Sequence, residues 1–370
     1  MKHKPIPFFE YPRVFLDDKK ELVKIFEDVG TRGAFIMQQD LVNFEKNLAK
    51  YVGSQHTIGV GNATDGLELA WMSIGLKDKD EVICCAHTML ATASSIRIAG
   101  GIPVPVDIGE DNLIDVDAIE NSINDKTVGI MPTQLNGRTC NMEKLMKIAS
   151  KHNLTVIEDS AQALGSMYNN KKAGTFGHAG VISFFPAKVL GSLGDGGAVI
   201  TNSEEAYDKI FQLHDHGRDP NGDVKSWGRN SRLDNLQAAI LDYRLLTYDK
   251  IIKRRRKVAQ IYHEHLKDLE ELKLPPGPNE NSLHFDVYQN YEIQAQRRDD
   301  LQLHLNQNNI GTLIQWNGKA IHQWKGLGFN SKLPKVEKFF KECIMLPMNN
   351  FVSNEEVIFI CNSIKSFYRK

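Results

Sequence analysis

Short apolar runs alternate with helical patterns between residues 56 and 159, and this alternation is what most limits the possible folds of the chain. The pattern predicts strands at 56–60, 81–85, 102–107, 128–132 and 154–158, separated by helices at 67–74, 88–99, 113–122 and 142–152. Repeated β-α units of this length predict an α/β fold, with a mainly parallel sheet flanked by helices on both faces. Ligands of such sheets bind at the carboxyl ends of the strands.

The length of 370 residues fits one large and one small domain better than a single domain. We expect a large α/β domain at residues 1–245, including an N-terminal helical segment, and a smaller α+β domain at residues 246–370. The second domain is predicted from strands at 287–294 and 312–315 and from helices at 297–308 and 354–368. Helices predicted at 204–214, 233–246 and 248–269 lead from one domain to the other.

Charge and composition exclude several classes of protein. The net charge of −1 gives no overall field that would attract nucleic acid or an anionic membrane. The basic cluster at 253–257 lies in a helical pattern and is interpreted as a solvated helix face. No run approaches the roughly 20 apolar residues of a membrane span, and the five cysteines lack metal-ligand spacing. We therefore expect a cytoplasmic protein with reduced cysteines and no metal, nucleic-acid or membrane partner.

The turn after the first predicted strand has the composition of an anion site. Residues 61–66 read GNATDG, so small and hydroxyl residues, including Ala63 and Thr64, join a strand to a helix. Free N–H groups and the helix dipole favour a phosphate at such a position. An ordinary strand-to-helix junction with an N-capping threonine has the same appearance, and this alternative stays open.

Asp159 follows the most apolar of the predicted strands, in the run VIEDSAQALG. A carboxylate in such surroundings needs a cationic or hydrogen-bonding partner, because burial of an unpaired charge is costly. The functional interpretation is a ligand-facing group at a strand end. The alternative is a helix N-cap.

Lys188 stands in the run SFFPAKVLGSLGDGGAVIT, residues 183–201. Pro186 precedes it and excludes a helix interior or a central strand, and the glycines that follow permit close backbone approach. A lysine held on such a loop at the rim of an α/β sheet can form an imine with an aldehyde or ketone. A surface lysine on a flexible loop is the alternative.

The anion turn, the aspartate at a strand end and the lysine loop together match the needs of pyridoxal 5'-phosphate. Its phosphate requires a helix N-terminus, and its aldehyde requires a lysine. Its pyridine nitrogen requires a carboxylate that keeps it protonated, so that the ring can accept electrons.

The runs VIEDSAQALGS, SFFPAKVLGSLGDGGAVIT and GRNSRLDNLQAAIL resemble the DegT/DnrJ/EryC1/StrS family of pyridoxal-phosphate-dependent sugar aminotransferases. The resemblance covers almost the whole chain, from the run beginning GAFIMQQDL to LPMN near Met348. It implies fold type I, with a mainly parallel seven-stranded sheet and a smaller C-terminal domain. It also implies that Lys188 binds the cofactor covalently and transfers the proton, that Asp159 pairs with the pyridine nitrogen, and that Gln162 lies near the ring.

The resemblance implies a phosphate site as well. Ser183, together with Ala63 and Thr64, would hold the phosphate, and Asn230 would reach the phosphate of the neighbouring subunit. The alternative for Asn230 is an N-cap of the helix predicted to begin at Leu233. The functional unit would then be a homodimer with shared active sites.

The sequence departs from the family pattern at three places, of which the last two concern the substrate more than the reaction. The phosphate turn often reads Gly-Thr and here contains Ala63 and Thr64, which still leaves a backbone N–H. Met89 takes the place of an aromatic residue that covers the cofactor ring, and a thioether covers a ring face less rigidly. The sequence QLNG at 134–137 replaces a His-Leu-Tyr-Gly or His-Leu-Phe-Gly segment.

The resemblance implies an aminotransferase that moves an amino group from L-glutamate to the ketone of a keto-sugar, through pyridoxamine phosphate. The sugar is expected to be nucleotide-linked, and the segment at 230–234 favours amination at C-3 over C-4. The product would serve surface polysaccharide (lipopolysaccharide, O-antigen) or other amino-sugar biosynthesis. Two alternatives are a pyridoxal-phosphate-dependent sugar dehydratase, in which a histidine replaces the lysine, and a non-catalytic regulatory protein on the same scaffold.

Overall fold

A computed structural model describes residues 4–369, and the outermost ends of the two predicted domain ranges lie outside the described residues. The helices are α1 Tyr11–Arg32, α2 Gln39–Val52, α3 Ala63–Ser73, α4 Leu90–Ile98, α5 Val116–Ile119, α6 Met142–Lys151, α7 Glu204–His214, α8 Asn235–Leu245, α9 Tyr248–Leu266, α10 Arg298–Gln307, α11 Pro334–Glu342 and α12 Asn354–Tyr368. The strands are β1 His56–Val60, β2 Glu81–Cys85, β3 Ile102–Val106, β4 Thr127–Met131, β5 Thr155–Asp159, β6 Met167–Tyr168, β7 Lys171–Lys172, β8 Ala179–Ser183, β9 Gly197–Thr201, β10 Leu272–Lys273, β11 His284–Phe285, β12 Tyr291–Ala295 and β13 Cys343–Leu346.

The main sheet has seven strands in the order β1-β9-β8-β5-β4-β2-β3. The strands from β8 to β3 are parallel to their neighbours, whereas β9 is antiparallel to both β8 and β1. This arrangement confirms the predicted mainly parallel seven-stranded sheet. The antiparallel strand lets the chain turn back directly after the lysine loop, because antiparallel neighbours need no helical crossover.

The central strands are buried along their length, as expected where helices cover both faces of a sheet. The covering helices approach closely where the strands have small residues. A side chain at Gly129 in β4 would meet the ring of Trp71 of α3 at 2.6 Å, so only glycine admits the fully buried tryptophan. The contact between Trp71 and Gly129 thus packs α3 closely against the sheet, and the N-terminus of α3 lies directly after β1.

The C-terminal part forms a second sheet and a second apolar core. Strands β10, β12 and β13 pair antiparallel, and helices α9, α10 and α12 pack against them. Tyr262 of α9 stacks on Tyr291 of β12, with ring centroids 4.8 Å apart. The predicted boundary between residues 245 and 246 lies between α8 and α9 and stays a prediction.

Three local predictions are corrected by the structure. Helix α3 begins at Ala63 and its N-cap is Asn62, whose Oδ1 accepts from the Asp65 N–H at 2.9 Å, so Thr64 is not the cap. Residues 312–315 are not a strand, and a 3₁₀ turn begins at Gln315. The third strand of the small sheet is β13, at a position where no strand was predicted.

The interpretation of residues 253–257 as a solvated helix face is wrong for its arginines. Arg255 is buried and donates to the carbonyl oxygens of Tyr288 and Gln289 at 3.0 and 3.1 Å. Arg256 donates to the carbonyl of Asp286 at 2.7 Å. These guanidinium groups fix the segment between β11 and β12, which contributes to the site described next.

Within residues 4–369, no helix combines the length and apolarity that a membrane crossing requires.

Candidate active site

A cavity of about 760 Å³ opens at the carboxyl edge of the main sheet, where β5 and β8 end. Seven of the eight residues predicted for the site line it, namely Ala63, Thr64, Met89, Asp159, Gln162, Ser183 and Lys188. The eighth, Asn230, is not among the lining residues. The strand-end rule therefore locates the cavity correctly in this fold.

Asp159 lies at the inner end of the cavity and is 3% exposed. Its Oδ2 accepts from the Thr92 hydroxyl at 2.5 Å, and its Oδ1 accepts from the Ala161 N–H at 3.2 Å. Burial raises the pKa of Asp159, while the Thr92 bond and the charge of Lys188 act in the opposite direction. The helix N-cap alternative does not hold, because the Asp159 side chain caps no helix and faces the cavity.

Lys188 faces Asp159 across the cavity on the loop between β8 and β9. Burial lowers the pKa of its amine to about 8, and the charge of Asp159 opposes that change. Gln289 holds the loop on both sides of the lysine, since its Oε1 accepts from the Val189 N–H and its Nε2 donates to the Ala187 carbonyl, each at 2.9 Å. Lys188 is therefore not a flexible surface lysine, and a fraction of its amine is neutral near neutral pH.

The phosphate turn combines a helix N-terminus with hydroxyl groups. Ala63 and Thr64 are the first residues of α3, so their N–H groups lack partners within the helix. Ser183 ends β8 on the same cavity, and its Oγ accepts from the Phe185 N–H at 3.3 Å. Gly197 of β9 leaves room beside the turn, because a side chain there would lie 2.8 Å from the Ala63 nitrogen.

Gln162 and Met89 lie at other parts of the cavity wall. The Gln162 Oε1 accepts from the Asn136 N–H at 2.9 Å and from Asn290 Nδ2 at 3.3 Å, which leaves its NH₂ group for the cavity. Met89 is 49% exposed, and its sulfur accepts from the Ala91 N–H at 3.0 Å. The thioether is thus fixed at the start of α4.

Asn230 lies on the surface, in an excursion of the chain between α7 and α8 in which isolated backbone bridges join residues 215 and 230 and residues 218 and 224. The excursion returns to the phosphate turn, because Ser231 donates to Asp65 at 2.7 Å and accepts from the Gly61 N–H at 3.1 Å. Helix α8 begins at Asn235 with Asp234 as its N-cap, so Asn230 does not cap it. The interpretation of Asn230 as an N-cap of this helix is therefore wrong.

Sequence reasoning missed the part of the cavity wall that comes from the small domain. Gln289, Asn290, Gln315 and Trp316 line the cavity although they follow Lys188 by more than 100 residues. Their only local signal is a pair of amides at 289–290, inside a segment predicted as a strand that in fact begins at 291. Thr92, the hydrogen-bond donor to Asp159, was also missed.

The residues present fit pyridoxal phosphate. A helix N-terminus with two hydroxyl groups suits a phosphate dianion. The amine of Lys188 has a lowered pKa and no hydrogen-bond partner within residues 4–369, so it is available to an aldehyde. Among residues 4–369, Asp159 receives two hydrogen bonds, and it keeps acceptor capacity toward the cavity for a protonated ring nitrogen.

Comparison with known proteins agrees with this chemistry. A family model described as the DegT/DnrJ/EryC1/StrS aminotransferase family matches residues 16–365. The "Pleiotropic regulatory protein" of Geobacillus stearothermophilus is 36% identical over 369 residues, which are 98% of this chain and 99% of that protein. The dTDP-3-amino-3,6-dideoxy-alpha-D-galactopyranose transaminase of Aneurinibacillus thermoaerophilus is 35% identical over 369 residues, again 98% and 99% of the two chains.

Among solved structures, NtdA of Bacillus subtilis with its bound cofactor PMP has a TM-score of 0.91 and 27% identity, covering 100% of this chain and 86% of that chain. The matches confirm the predicted fold type, the cofactor pyridoxal phosphate and the enzyme class, a sugar aminotransferase. The chain belongs to the DegT/DnrJ/EryC1/StrS aminotransferase family.

Proposed function

We propose that this enzyme moves an amino group from L-glutamate to the C-3 ketone of a nucleotide-linked keto-sugar. The observation that carries the reaction type is the presence of both Lys188 and Asp159 in one cavity beside the phosphate turn. The nucleotide-linked sugar and the C-3 position are supported by the Aneurinibacillus thermoaerophilus relative, whose name specifies a dTDP-linked 3-amino sugar.

Bound pyridoxal phosphate supplies an aldehyde that accepts the amino group and a ring that accepts electrons. Lys188 would hold the aldehyde of the cofactor, and its amine would remove and return the proton at the reacting carbon as a general base and acid. Its lowered pKa suits both tasks near neutral pH. Asp159 keeps the ring nitrogen protonated, and Thr92 orients the carboxylate through its 2.5 Å hydrogen bond.

The remaining predicted residues bind and orient. Ala63, Thr64 and Ser183 would hold the phosphate, Gln162 would donate to the oxygen on the ring, and Met89 would cover one ring face. On the substrate side, Lys319 and Trp324 lie together at the mouth of the cavity, with the amine 4.8 Å from the ring centroid. A cation beside an aromatic ring suits the diphosphate and the base of a nucleotide.

The functional unit is proposed to be a homodimer in which Asn230 reaches the phosphate site of its partner. Asn230 is exposed and outside its own cavity, and Trp227 on the same excursion is 95% exposed. A large aromatic residue left in solvent is a common element of an interface. Mixed dimers of Lys188→Ala and Asn230→Trp test this arrangement, because activity returns only if Asn230 acts in the neighbouring site.

The alternatives have weaker support. A sugar dehydratase of this family would have a histidine at the position of Lys188. A non-catalytic regulatory protein would not need a complete cofactor site. The Geobacillus stearothermophilus relative is named a regulatory protein, and that name says nothing about catalysis. The product is proposed to enter surface polysaccharide or other amino-sugar biosynthesis.

A spectral assay tests the proposed function. L-glutamate should convert the enzyme to its pyridoxamine form, and a panel of nucleotide-linked 3-keto and 4-keto sugars is then added. A 3-keto sugar should restore the visible absorption of the pyridoxal form. Restoration by 4-keto sugars alone would overturn the C-3 assignment, and no response to any sugar would overturn the sugar substrate.

A further inference from the structure

A buried carboxylate of the small domain anchors a chain of amides behind the cavity wall. Glu292 of β12 is buried, and its Oε2 accepts from Asn136 Nδ2 at 2.6 Å. Its Oε1 accepts from Gln315 Nε2 at 3.2 Å. The Nε2 of buried His87 lies 3.4 Å from the Glu292 Oε2. A carboxylate only accepts hydrogen bonds, so both amides must turn their NH₂ groups toward Glu292.

Asn136 passes this orientation on to its neighbours. With its NH₂ group on Glu292, its Oδ1 is the atom that remains for other partners. That oxygen accepts from Asn290 Nδ2 at 2.8 Å and from Gln315 Nε2 at 3.2 Å. Asn136 itself has a left-handed backbone, with φ of 55°, which asparagine tolerates better than most residues.

The amides that line the cavity then have only their oxygens left for a ligand. Asn290 uses its NH₂ group on Asn136 and on Gln162, and Gln315 uses its NH₂ group on Glu292 and Asn136. Neither the Asn290 Oδ1 nor the Gln315 Oε1 has a hydrogen-bond partner among residues 4–369, and both residues line the cavity. These two amides therefore offer two acceptors to the cavity and no free donor.

We propose that Glu292 is a positioning residue that fixes Asn290 and Gln315 with their carbonyl oxygens toward the substrate. The wall then selects a sugar that keeps a hydroxyl group next to the reacting carbon, because only a donor can pair with these oxygens. A sugar without that hydroxyl leaves two amide oxygens unpaired, which costs binding. This inference rests on the proposed function, since it concerns the sugar that the same cavity binds.

The sequence at 134–137, which departs from the family pattern, contains one residue of this amide chain. Where the family pattern has tyrosine or phenylalanine, this chain has Asn136, the residue that connects Glu292 to Asn290. An aromatic side chain cannot both donate to Glu292 and accept from Asn290. The selection of hydroxyl groups is therefore expected to depend on Asn136. Gly137 permits the close contact, because a side chain there would lie 2.6 Å from the Gln289 nitrogen.

The test compares the binding of two dTDP-linked 3-amino sugars, one with and one without a hydroxyl at C-4, to the pyridoxal form of the enzyme by calorimetry. The wild type should bind the hydroxylated sugar roughly three- to tenfold more tightly, the ratio that one neutral hydrogen bond provides. Glu292→Gln should bring the ratio close to one, because an amide at this position cannot accept from both Asn136 and Gln315 without turning an NH₂ group toward one of them.

A second substitution separates positioning from packing. In Asn136→Asp, two carboxylates face each other, and binding of both sugars should weaken. The double variant Glu292→Gln with Asn136→Asp exchanges amide and carboxylate, so that Gln donates to Asp, and Asp again accepts from Asn290 and Gln315. It should recover the preference for the hydroxylated sugar, whereas a role in packing alone would make the two defects add.

Glu337→Gln is the matched control, since Glu337 also pairs with a buried histidine, His322 at 3.1 Å, but lies outside the amide chain. It should keep the wild-type preference. A preference that persists in folded Glu292→Gln, or a double variant that does not recover it, would overturn the inference. Failure of the wild type to bind either sugar would instead contradict the proposed function.

Discussion

Glu158 and Asp159 occupy consecutive positions at the end of β5, so their side chains point to opposite faces of the sheet. Both are buried, and burial raises the pKa of each. Glu158 accepts four hydrogen bonds, from Gln134 Nε2 and from the N–H groups of Gly174, Phe176 and Gly177, at 2.7 to 3.1 Å. Asp159 accepts two and faces the cavity.

The difference shows how the same residue chemistry is divided between stability and function. A carboxylate whose acceptor positions are filled by the protein fixes a loop and has nothing left for a ligand. A carboxylate that is equally buried but partly unfilled keeps its capacity for a group that the protein does not supply. Substitutions on the Asp159 side should therefore impair the reaction, and substitutions on the Glu158 side should impair folding.

Lys188→Ala should have the largest effect on the reaction and little effect on the fold. The amine faces the cavity, and removal of a positioned proton-transfer group costs roughly 10²–10⁴-fold in rate, with a further loss because the aldehyde has no lysine to bind. Steady-state transamination measures the effect on the reaction, and thermal unfolding of the same preparation measures the effect on the fold. Turnover near the wild-type rate would contradict the role of Lys188.

Asp159→Asn should have the second-largest effect on the reaction. The amide keeps the shape but loses the negative charge that holds the ring nitrogen protonated, so we expect half-reactions slowed by roughly 10²–10³-fold, the range for loss of one fixed electrostatic contact. Cofactor should still bind, since Lys188 and the phosphate turn are intact. Stopped-flow absorbance of each half-reaction is the measurement, and normal rates would contradict the electron-sink role.

Glu158→Gln should reverse the pattern, with normal rates per folded molecule and lower stability. An amide in either orientation turns its NH₂ group toward two of the four donors, and unpaired buried groups cost about 1–3 kcal/mol each. Chemical denaturation measures the loss. Equal damage to rate and stability in both Glu158→Gln and Asp159→Asn would remove the distinction between the two carboxylates.

A residue of the site could be predicted from the sequence where a local sequence pattern marks it. Lys188 and Asp159 were predicted because each has a local signature, a glycine-rich loop in one case and an apolar strand end in the other. Helix α3 was predicted to begin at residue 67 but begins at Ala63, and its N-cap is Asn62, two residues before the threonine considered for that role. The choice between capping residues depends on side-chain orientation more than on composition.

The contacts that sequence reasoning missed join distant parts of the chain. Glu292 and Asn136 are 156 residues apart, and neither has a local pattern that identifies its partner. Arg255 was misread because a basic run on a helix is usually solvated, whereas here the carbonyl oxygens of residues 288 and 289 satisfy its guanidinium group. Long-range polar contacts of this kind follow from the packing of the two sheets and not from periodicity.

The smallest effect that we predict is on the amine of Lys188 itself. Its pKa of about 8 reflects burial, opposed by the charge of Asp159, whereas its ordinary value is 10.5. Asp159→Asn removes the opposing charge and should lower the pKa further, while Glu158→Gln should leave it unchanged. Competitive acetylation of the apoprotein across a pH series, read by mass spectrometry at residue 188, measures the midpoint in each variant.

The same lowered pKa has a consequence for the stability of the apoprotein. Between pH of about 8 and about 10.5, the unfolded chain binds a proton at residue 188 that the folded chain does not, so this lysine makes the free energy of unfolding rise with pH in that window. Lys188→Ala should flatten this part of the profile, and Lys147→Ala, which removes an exposed lysine, is the control. An identical pH profile in wild type and Lys188→Ala would mean that the amine titrates alike in both states, which would contradict the lowered pKa of Lys188 in the folded chain.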